Sequence, residues 1–351
     1  MGTIPRGVNT PRAPVNFLST SYYMVNLPNR IVKGNWRGPL FVIGAPRSGT
    51  KLVRDIINQS PEVAIPVHET KLIPHLLKLS EKGRLSPNRL ERVIRKSPFF
   101  LAHENEGKPI DLSFLESYDD DNSELIRSLI LASHRARGIS EPRIWGDKSP
   151  FAEFNIRVLA HHFPDARFLH IVRDPRDATS SLKHMYPWRS IRRFAHQWRR
   201  SIEHTRDYVS RQKINYFMVR YEDLVSQTEK TMRDVCDFIG IGYIPEMQRP
   251  NRVTEHTGTA RGADFVVGNN VGRYSSKLSE GNVRTIEAIC SPELSLIGYK
   301  KVTDSPSRRL FGPTLVILML GDYAREAIHV FRKRGLVRGT ARLMSKFQIR
   351  S

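Results

Sequence analysis

The stretch GAPRSGTKL, residues 44–52, is the first part of the sequence whose residue types suggest chemistry. Backbone N–H groups in a glycine-containing loop, together with the start of a following helix, form a cradle for an anion. The two glycines have the spacing of a nucleoside-triphosphate loop, but Thr50 comes before Lys51, whereas that loop needs Lys before the hydroxyl. The cation before the second glycine is Arg47. We therefore predict an anion cradle that is not a kinase loop, with Lys51 facing either the ligand or solvent.

A second candidate anion site lies in HIVRDPRDATSSLKH, where an apolar run ends in Arg173 and Ser181 follows eight residues later. A guanidinium at the end of a strand makes charge-assisted hydrogen bonds to phosphate. The hydroxyl falls within the helix that the pattern predicts after the strand. Arg173 and Ser181 are thus candidates to bind one phosphate, and a structural ion pair between Arg173 and Asp174 is the alternative.

The elements that must position these residues alternate between strands and helices. PLFVIGA at 39–45 and the run 168–172 have the composition of buried parallel strands. Helical spacing follows each of them. This alternation predicts an α/β fold with a parallel sheet. Four further expectations are an irregular lead-in over residues 1–37, a helix from about His68, a loop-like segment over 97–121 and a helix capped by Ser123.

Composition limits the classes of function. The chain has 351 residues and a formal net charge of +21, a balance that attracts polyanions. Nucleic acid is not expected as a partner, because no zinc-finger spacing or RNA-binding signature is found. Cys236 and Cys290 lie in apolar helical patterns and are expected to be buried free thiols, with no metal site. We find no signal-peptide pattern and expect a cytoplasmic protein.

With these residues in view, GAPRSGTKLVRDIINQSPEV resembles the 5′-phosphosulfate loop of sulfotransferases that use 3′-phosphoadenosine 5′-phosphosulfate (PAPS). Its form is most similar to the tyrosylprotein sulfotransferases and their bacterial relatives. The resemblance implies a three-layer α/β/α fold with a central parallel sheet, like that of the P-loop NTPases. It also implies PAPS as the donor, no metal, and a 5′-phosphosulfate site formed by Arg47, Ser48, Gly49 and Thr50.

Other segments resemble the same family in the same order, over about residues 39–300. The resemblance assigns Arg173 and Ser181 to the 3′-phosphate of the donor. WGDKSPF is similar to the family's lysine loop and places Lys148 near the transferred group. VRYEDLV suggests Tyr221 for the adenine pocket, and VGRYSSKLS suggests Arg273 and Ser276 for a late loop over the 3′-phosphate.

The catalytic base is the least determined role. Cytosolic sulfotransferases carry a His two residues after the lysine, but Pro150 occupies that position here. The tyrosylprotein branch uses a Glu in a Glu-Thr pair, which resembles Glu69 in PVHETKLIP. His68 is the alternative base, because its side chain titrates in a useful range. In this scheme Arg47 and Lys148 stabilise the charge that develops during transfer.

We thus expect a PAPS-dependent sulfotransferase that acts on a hydroxyl by in-line transfer with a carboxylate base. The alternatives are a P-loop kinase and a basic membrane- or nucleic-acid-binding protein on the same fold. The expected acceptor is a glycan, lipid or small metabolite rather than a protein tyrosine. The expected parts are an N-terminal lead-in, a sulfotransferase domain and a basic, partly apolar helical extension, at residues 1–37, 38–305 and 306–351.

The extension joins the apolar run Leu315–Leu320 to basic segments. This run is too short to cross a bilayer. The extension is expected either to lie against an anionic membrane, with the protein peripheral to it, or to pack as a helix on the domain.

Overall fold

The computed structural model describes residues 23–25, 36–80, 83, 85–139, 141–250, 266, 268 and 270–347. The strands are β1 Tyr23–Val25, β2 Leu40–Ile43, β3 Val63–Ala64, β4 Ile144–Lys148, β5 Arg167–Val172 and β6 Asn215–Arg220. The helices are α1 Thr50–Ile57, α2 Ile73–Ser80, α3 Pro87–Arg95, α4 Pro98–Asn105, α5 Asn122–Arg135, α6 Ile156–His162, α7 Pro175–Met185, α8 Ile191–Arg211, α9 Tyr221–Ser226, α10 Thr228–Ile239, α11 Tyr274–Lys277, α12 Glu280–Cys290, α13 Glu293–Leu296 and α14 Gly312–Phe347.

The strands form one sheet in the order β1-β6-β5-β2-β4-β3. β2 lies in the middle and pairs in parallel with both β4 and β5. β1 pairs antiparallel with β6 at the edge, with Tyr23 opposite Met218. This pairing corrects the expectation of an irregular lead-in over 1–37, since Tyr23–Val25 is a strand there. A central strand with successive strands on both sides is a topological switch point, the place where open α/β sheets bind ligands.

The two faces of the sheet are buried in separate apolar layers. Along β2, Leu40 and Val42 pack with α1 and α10, whereas Phe41 and Ile43 pack in the opposite layer with α5 and α8. This division follows from the two-residue period of a strand. The predicted three-layer α/β/α architecture with a central parallel sheet is therefore confirmed. Cys236 and Cys290 are buried free thiols, as expected.

Three local predictions were wrong. Part of the segment 97–121 is helix α4, which begins with Ser97 as its N-cap and Pro98 in the first turn, a known helix-start signal. Asp121, rather than Ser123, caps α5 by accepting two backbone N–H groups. The helix expected from His68 begins only at Ile73, because Pro74 has no backbone N–H and its ring would clash inside a helix, so it is tolerated only in the first turn. Glu69 therefore lies in a loop.

The C-terminal extension contains a single long helix, α14. It lies against α8, where Asp322 accepts the backbone N–H of Ser190 at 2.8 Å. Among the described residues, no helix is both long enough and apolar enough to cross a membrane.

Candidate functional site

The loop between β2 and α1 has backbone geometry suited to an anion cradle. Arg47 and Gly49 adopt positive φ angles of 71° and 96°, and Gly49 immediately precedes the first residue of α1. Ser48 is fully buried, and its Oγ has no hydrogen-bond partner among the described residues. Thr50 is buried at the start of the helix. An unpartnered hydroxyl beside the N-terminus of a helix fits a phosphate or sulfate ligand.

A close approach explains the glycine at position 49. A Cβ atom built on Gly49 would lie 2.5 Å from Cδ2 of Tyr221. Tyr221, the first residue of α9, is buried, and the guanidinium carbon of Arg173 lies 4.5 Å from the centroid of its ring. The ring therefore packs beneath the loop and beside Arg173. Its predicted role in an adenine pocket stays a prediction.

The structure brings the two predicted anion sites together at Arg47. Arg47 Nε donates to Ser181 Oγ at 3.0 Å, and Arg173 Nη1 donates to the carbonyl oxygen of Arg47 at 3.1 Å. Arg173 Nε has no hydrogen-bond partner within the described part of the chain. Asp174 pairs with Arg176, not with Arg173, which removes the alternative of a structural ion pair. These groups form one basic, polar surface from the loop to α7.

The predicted late loop lies beside Arg173. Arg173 Nη2 donates to the carbonyl of Asn270 at 2.6 Å, and Arg273 Nη1 donates to the side chain of Asn270 at 3.2 Å. Asp177, on α7, accepts the backbone N–H groups of Gly272 and Tyr274. Arg273 is thus close to the site. Ser276 is exposed, and its Oγ donates to the carbonyl oxygen of Arg273.

The predicted catalytic pair is in direct contact. Lys148 Nζ, at the end of β4, donates to Glu69 Oε1 at 2.7 Å, and Lys71 Nζ lies 2.7 Å from Glu69 Oε2. Burial raises the pKa of Glu69, but Lys148 and Lys71 outweigh burial and lower this pKa to about 2. Burial lowers the pKa of Lys148 to about 8; Glu69 opposes this change, and the charges of Arg54 and Lys51 add to it. Lys51 therefore acts electrostatically on the site.

His68 belongs to a different cluster. Its Nε2 lies 2.9 Å from Glu106 Oε1 and 3.0 Å from Arg137 Nη2. Burial lowers the pKa of His68, and the carboxylate of Glu106 partly opposes this change. The structure therefore brings Glu69, rather than His68, into contact with Lys148.

Arg47 and Lys148 point to different partners. The guanidinium of Arg47 contacts Ser181 and, at 3.8 Å, the sulfur of Met185, whereas Lys148 contacts Glu69. The expectation that both cations act on one transferring group therefore requires at least one of them to change partner when a ligand binds.

The family of this chain follows from its similarity to known proteins. A family model described as the sulfotransferase family matches residues 39–245, more than half of the chain. The chain belongs to the sulfotransferase family. The match contains the β2–α1 loop, Glu69, Lys148, Arg173, Ser181 and Tyr221, whereas Arg273 and Ser276 lie beyond it.

Individual sulfotransferase relatives are distant. Protein-tyrosine sulfotransferase A of Caenorhabditis elegans is 27% identical over 211 residues, covering 58% of this chain and 50% of that protein. The protein-tyrosine sulfotransferase of Drosophila melanogaster is 27% identical, covering 81% of this chain and 56% of that protein. The chain thus spans about half the length of these relatives. Carbohydrate sulfotransferase 2 of Mus musculus is 28% identical over 107 residues, covering 29% of this chain and 20% of that protein.

Among solved structures, the sulfotransferase domain from the curacin biosynthetic pathway is 18% identical to this sulfotransferase-family chain. It covers 76% of this chain and 99% of its own, with a TM-score of 0.47.

A buried carboxyl group behind the loop was not predicted from the sequence. Glu153 is fully buried; its Oε2 accepts the backbone N–H of Gly44 at 3.1 Å, and its Oε1 accepts the hydroxyl of Ser201 on α8 at 2.5 Å. Burial raises the pKa of Glu153 to about 7. Glu153 therefore links the first residue of the loop to a helix in the opposite layer. Its position five residues after Lys148 did not indicate this role, because Glu153 contacts residues that are distant in sequence.

Residues beyond 245, outside the family match, support the candidate site. Arg176, on α7, pairs with Glu287 of α12 at 2.6 Å. Glu222, on α9, accepts the backbone N–H of Asp174 and the hydroxyl of Tyr299. The end of β5, which carries Arg173, is therefore supported by the C-terminal part of the domain.

A pocket of about 200 Å³ lies next to the Glu69 loop. Its lining is mostly apolar and includes Phe41, Lys71, Ile73, Asp147, Phe151 and Leu159. Lys71 connects the pocket to Glu69 and Lys148, because the same side chain contacts Glu69.

Proposed function

We propose that this protein transfers a sulfuryl group from PAPS to a hydroxyl acceptor. The observation that carries the proposal is the convergence of Arg173 and Ser181 on Arg47, which joins two anion-binding motifs more than 120 residues apart into one surface. A donor with phosphate groups at two ends of a nucleoside requires two such motifs at once. Membership of the sulfotransferase family supports the same donor.

In this proposal, different residues of the protein bind the two ends of the donor. Ser48, Gly49 and Thr50 hold the 5′-phosphosulfate with their backbone N–H groups and hydroxyls. Arg173 and Ser181 hold the 3′-phosphate, and Arg273 closes over it from the late loop. Lys51 adds positive charge on the side of Lys148. Binding uses no metal ion.

Glu69 serves as the base in the proposed reaction. Its carboxylate accepts the proton of the acceptor hydroxyl as the acceptor oxygen forms its bond to sulfur and the bond from sulfur to the 5′-phosphate oxygen breaks. Lys148 stabilises the negative charge that remains on that phosphate oxygen. A carboxylate whose pKa is about 2 is a weak base, so Lys148 must leave Glu69 for the donor before Glu69 gains basicity.

The proposed acceptor is a hydroxyl of a glycan, a lipid or a small metabolite rather than of a protein tyrosine. The pocket beside Glu69 supports a small acceptor group, because about 200 Å³ accommodates one ring or a short chain. The relatives are named for protein tyrosine and for carbohydrate. A cytoplasmic location is part of the proposal and is tested by cell fractionation.

Thermal unfolding in the presence of ligands tests the donor site. Adenosine 3′,5′-bisphosphate, the desulfonated product of PAPS, is expected to raise Tm, whereas ATP with Mg²⁺ is expected to have a smaller effect. Arg173→Ala should reduce the shift with adenosine 3′,5′-bisphosphate. Arg233→Ala, on the exposed side of α10, is the matched control and should leave the shift unchanged. A larger shift with ATP and Mg²⁺ would favour the kinase alternative.

Transfer itself is tested by incubating the protein and radiolabelled PAPS with fractionated cell extract in the presence of EDTA. Label is expected in a glycan, lipid or metabolite fraction. Label in protein tyrosine would overturn the acceptor proposal, and a requirement for added metal would overturn the metal-free mechanism.

A further inference from the structure

The exposed side of α14 is apolar. Val316, Ile317, Leu320 and Ile328 are 50%, 69%, 58% and 51% exposed, and their spacing places them on one side of the helix. Phe311, directly before the helix, is 74% exposed. A surface helix of a globular protein normally turns such residues to the core and polar residues to solvent. Here the arrangement is reversed.

Polar contacts on the inner side fix this orientation of α14. Asp322 is buried and accepts hydrogen bonds from the backbone of Ser190 and from Arg193 Nη1 at 3.0 Å. Arg325 Nε donates to the carbonyl of Trp188, whose ring lies 4.3 Å from that of His329. Turning the apolar side inward would bring Asp322 out of these hydrogen bonds. The apolar side is therefore held toward solvent.

The charge of the neighbouring sequence indicates what the apolar side of α14 would contact. The sequence from 332 to 350 contains seven Lys and Arg residues and no Asp or Glu. Before the helix, Arg308 and Arg309 add two more cations; the Arg309 side chain is 63% exposed and lies 3.5 Å from Glu203. A second copy of this chain would bring the same positive charge to the contact, whereas an anionic surface would be attracted to it.

We propose that α14 lies flat on an anionic bilayer, with Val316, Ile317, Leu320 and Ile328 inserted beneath the headgroups. The basic sequence that follows them supplies attraction to anionic lipid. The proposal does not depend on the transfer reaction and holds for a protein without bound donor. It would bring the active site close to acceptors that are anchored in lipid.

Vesicle flotation with the full chain tests this proposal. Vesicles of phosphatidylcholine mixed with phosphatidylserine are expected to carry the protein upward, and vesicles of phosphatidylcholine alone should carry at least about tenfold less. The double variant Ile317→Gln, Leu320→Gln should bind the mixed vesicles at least about tenfold more weakly, since two apolar anchors are lost. High salt should weaken binding of the wild type.

Val302→Gln is the matched control, because Val302 is 62% exposed and lies outside α14. Its flotation should equal that of the wild type. A Tm equal to that of the wild type shows that each variant is folded. The proposal is overturned if the wild type does not float with the mixed vesicles, or if the double variant floats equally well. It is also overturned if sedimentation shows a wild-type dimer that the double variant dissociates, since the face would then be a self-association surface.

Discussion

At the scale of single residues, the contact between Glu69 and Lys148 carries the chemical proposal. The pair is 79 residues apart in sequence, yet its nitrogen and oxygen lie 2.7 Å apart. Lys148 is fully buried, whereas the Glu69 side chain is 23% exposed. A buried ammonium needs a counter-charge, so Lys148 will exchange Glu69 only for another anion. This requirement suits a lysine that receives an anionic donor.

Glu69→Gln is expected to lower kcat by about a hundredfold or more, because the base is removed. Affinity for adenosine 3′,5′-bisphosphate should not fall, since Gln still accepts a hydrogen bond from Lys148 and carries no charge that competes with the ligand. Steady-state kinetics and calorimetry measure the two effects. His68→Asn is the matched control and should retain near wild-type kcat. A large loss in the control, with little loss in Glu69→Gln, would make His68 the base.

At the scale of elements, the loop between β2 and α1 depends on close backbone packing. Two layers contact it: Tyr221 of α9 lies against Gly49, and Glu153 accepts the N–H of Gly44. A Cβ on Gly44 would lie 2.3 Å from the carbonyl oxygen of Ile171 on β5. The loop is therefore rigidly supported before any ligand binds, which reduces the entropy lost on binding.

Gly49→Ala is expected to lower the free energy of unfolding by about 2–4 kcal/mol, from the positive φ angle and the clash with Tyr221. Binding of adenosine 3′,5′-bisphosphate should weaken by at least about tenfold, since the loop must shift. Urea unfolding and calorimetry provide the measurements. Gly138→Ala separates the two causes, because Gly138 has a φ of 70° with no atom within 4 Å of an added Cβ. That control should cost only about 1 kcal/mol.

Some features of the fold are encoded by neighbouring residues, and others depend on contacts between residues far apart in sequence. Strands β2 and β5 and the spacing of Arg173 and Ser181 were predictable, because short apolar runs and nearby side chains encode them. Asp177 was not, because its bonds to Gly272 and Tyr274 span more than 90 residues. The start of α4 was predictable in principle from Ser97 and Pro98. The exposed side of α14 required knowledge of which side packs on α8.

At the scale of the whole molecule, buried carboxyl groups set how stability depends on pH. The pKa of Glu153 is about 7 in the folded protein and near 4.5 when unfolded, because burial favours the neutral form. The stability that Glu153 contributes is fully present below pH 4.5 and is lost as pH rises through 7. Glu69 has the opposite sign: its pKa is about 2, so its contribution is present above pH 4.5 and is lost as pH falls toward 2.

Urea unfolding at pH 5 and pH 8 should reveal the contribution of each of these two groups. From pH 5 to pH 8, the wild type should lose on the order of 3 kcal/mol of stability relative to Glu153→Gln. Relative to Glu69→Gln, its stability should fall as pH approaches 8, because the variant lacks the carboxylate that raises the pKa of Lys148, and this contribution is lost as Lys148 deprotonates. A difference from Glu153→Gln that does not vary with pH would show that Glu153 is ionised throughout this range.

The support that the site receives from residues beyond 245 has a consequence for any shortened form of the protein. A chain cut where the family match ends would keep the loop, Glu69, Lys148 and Arg173, and so would retain every motif that identifies it. It would lose Glu287 and Tyr299, which are one partner each of Arg176 and Glu222. Each of these buried groups would keep its contact with Asp174, but the pairing of a buried charge would be weakened, which is destabilising. A shortened form that folds should therefore extend at least to Tyr299, well beyond the end of the family match.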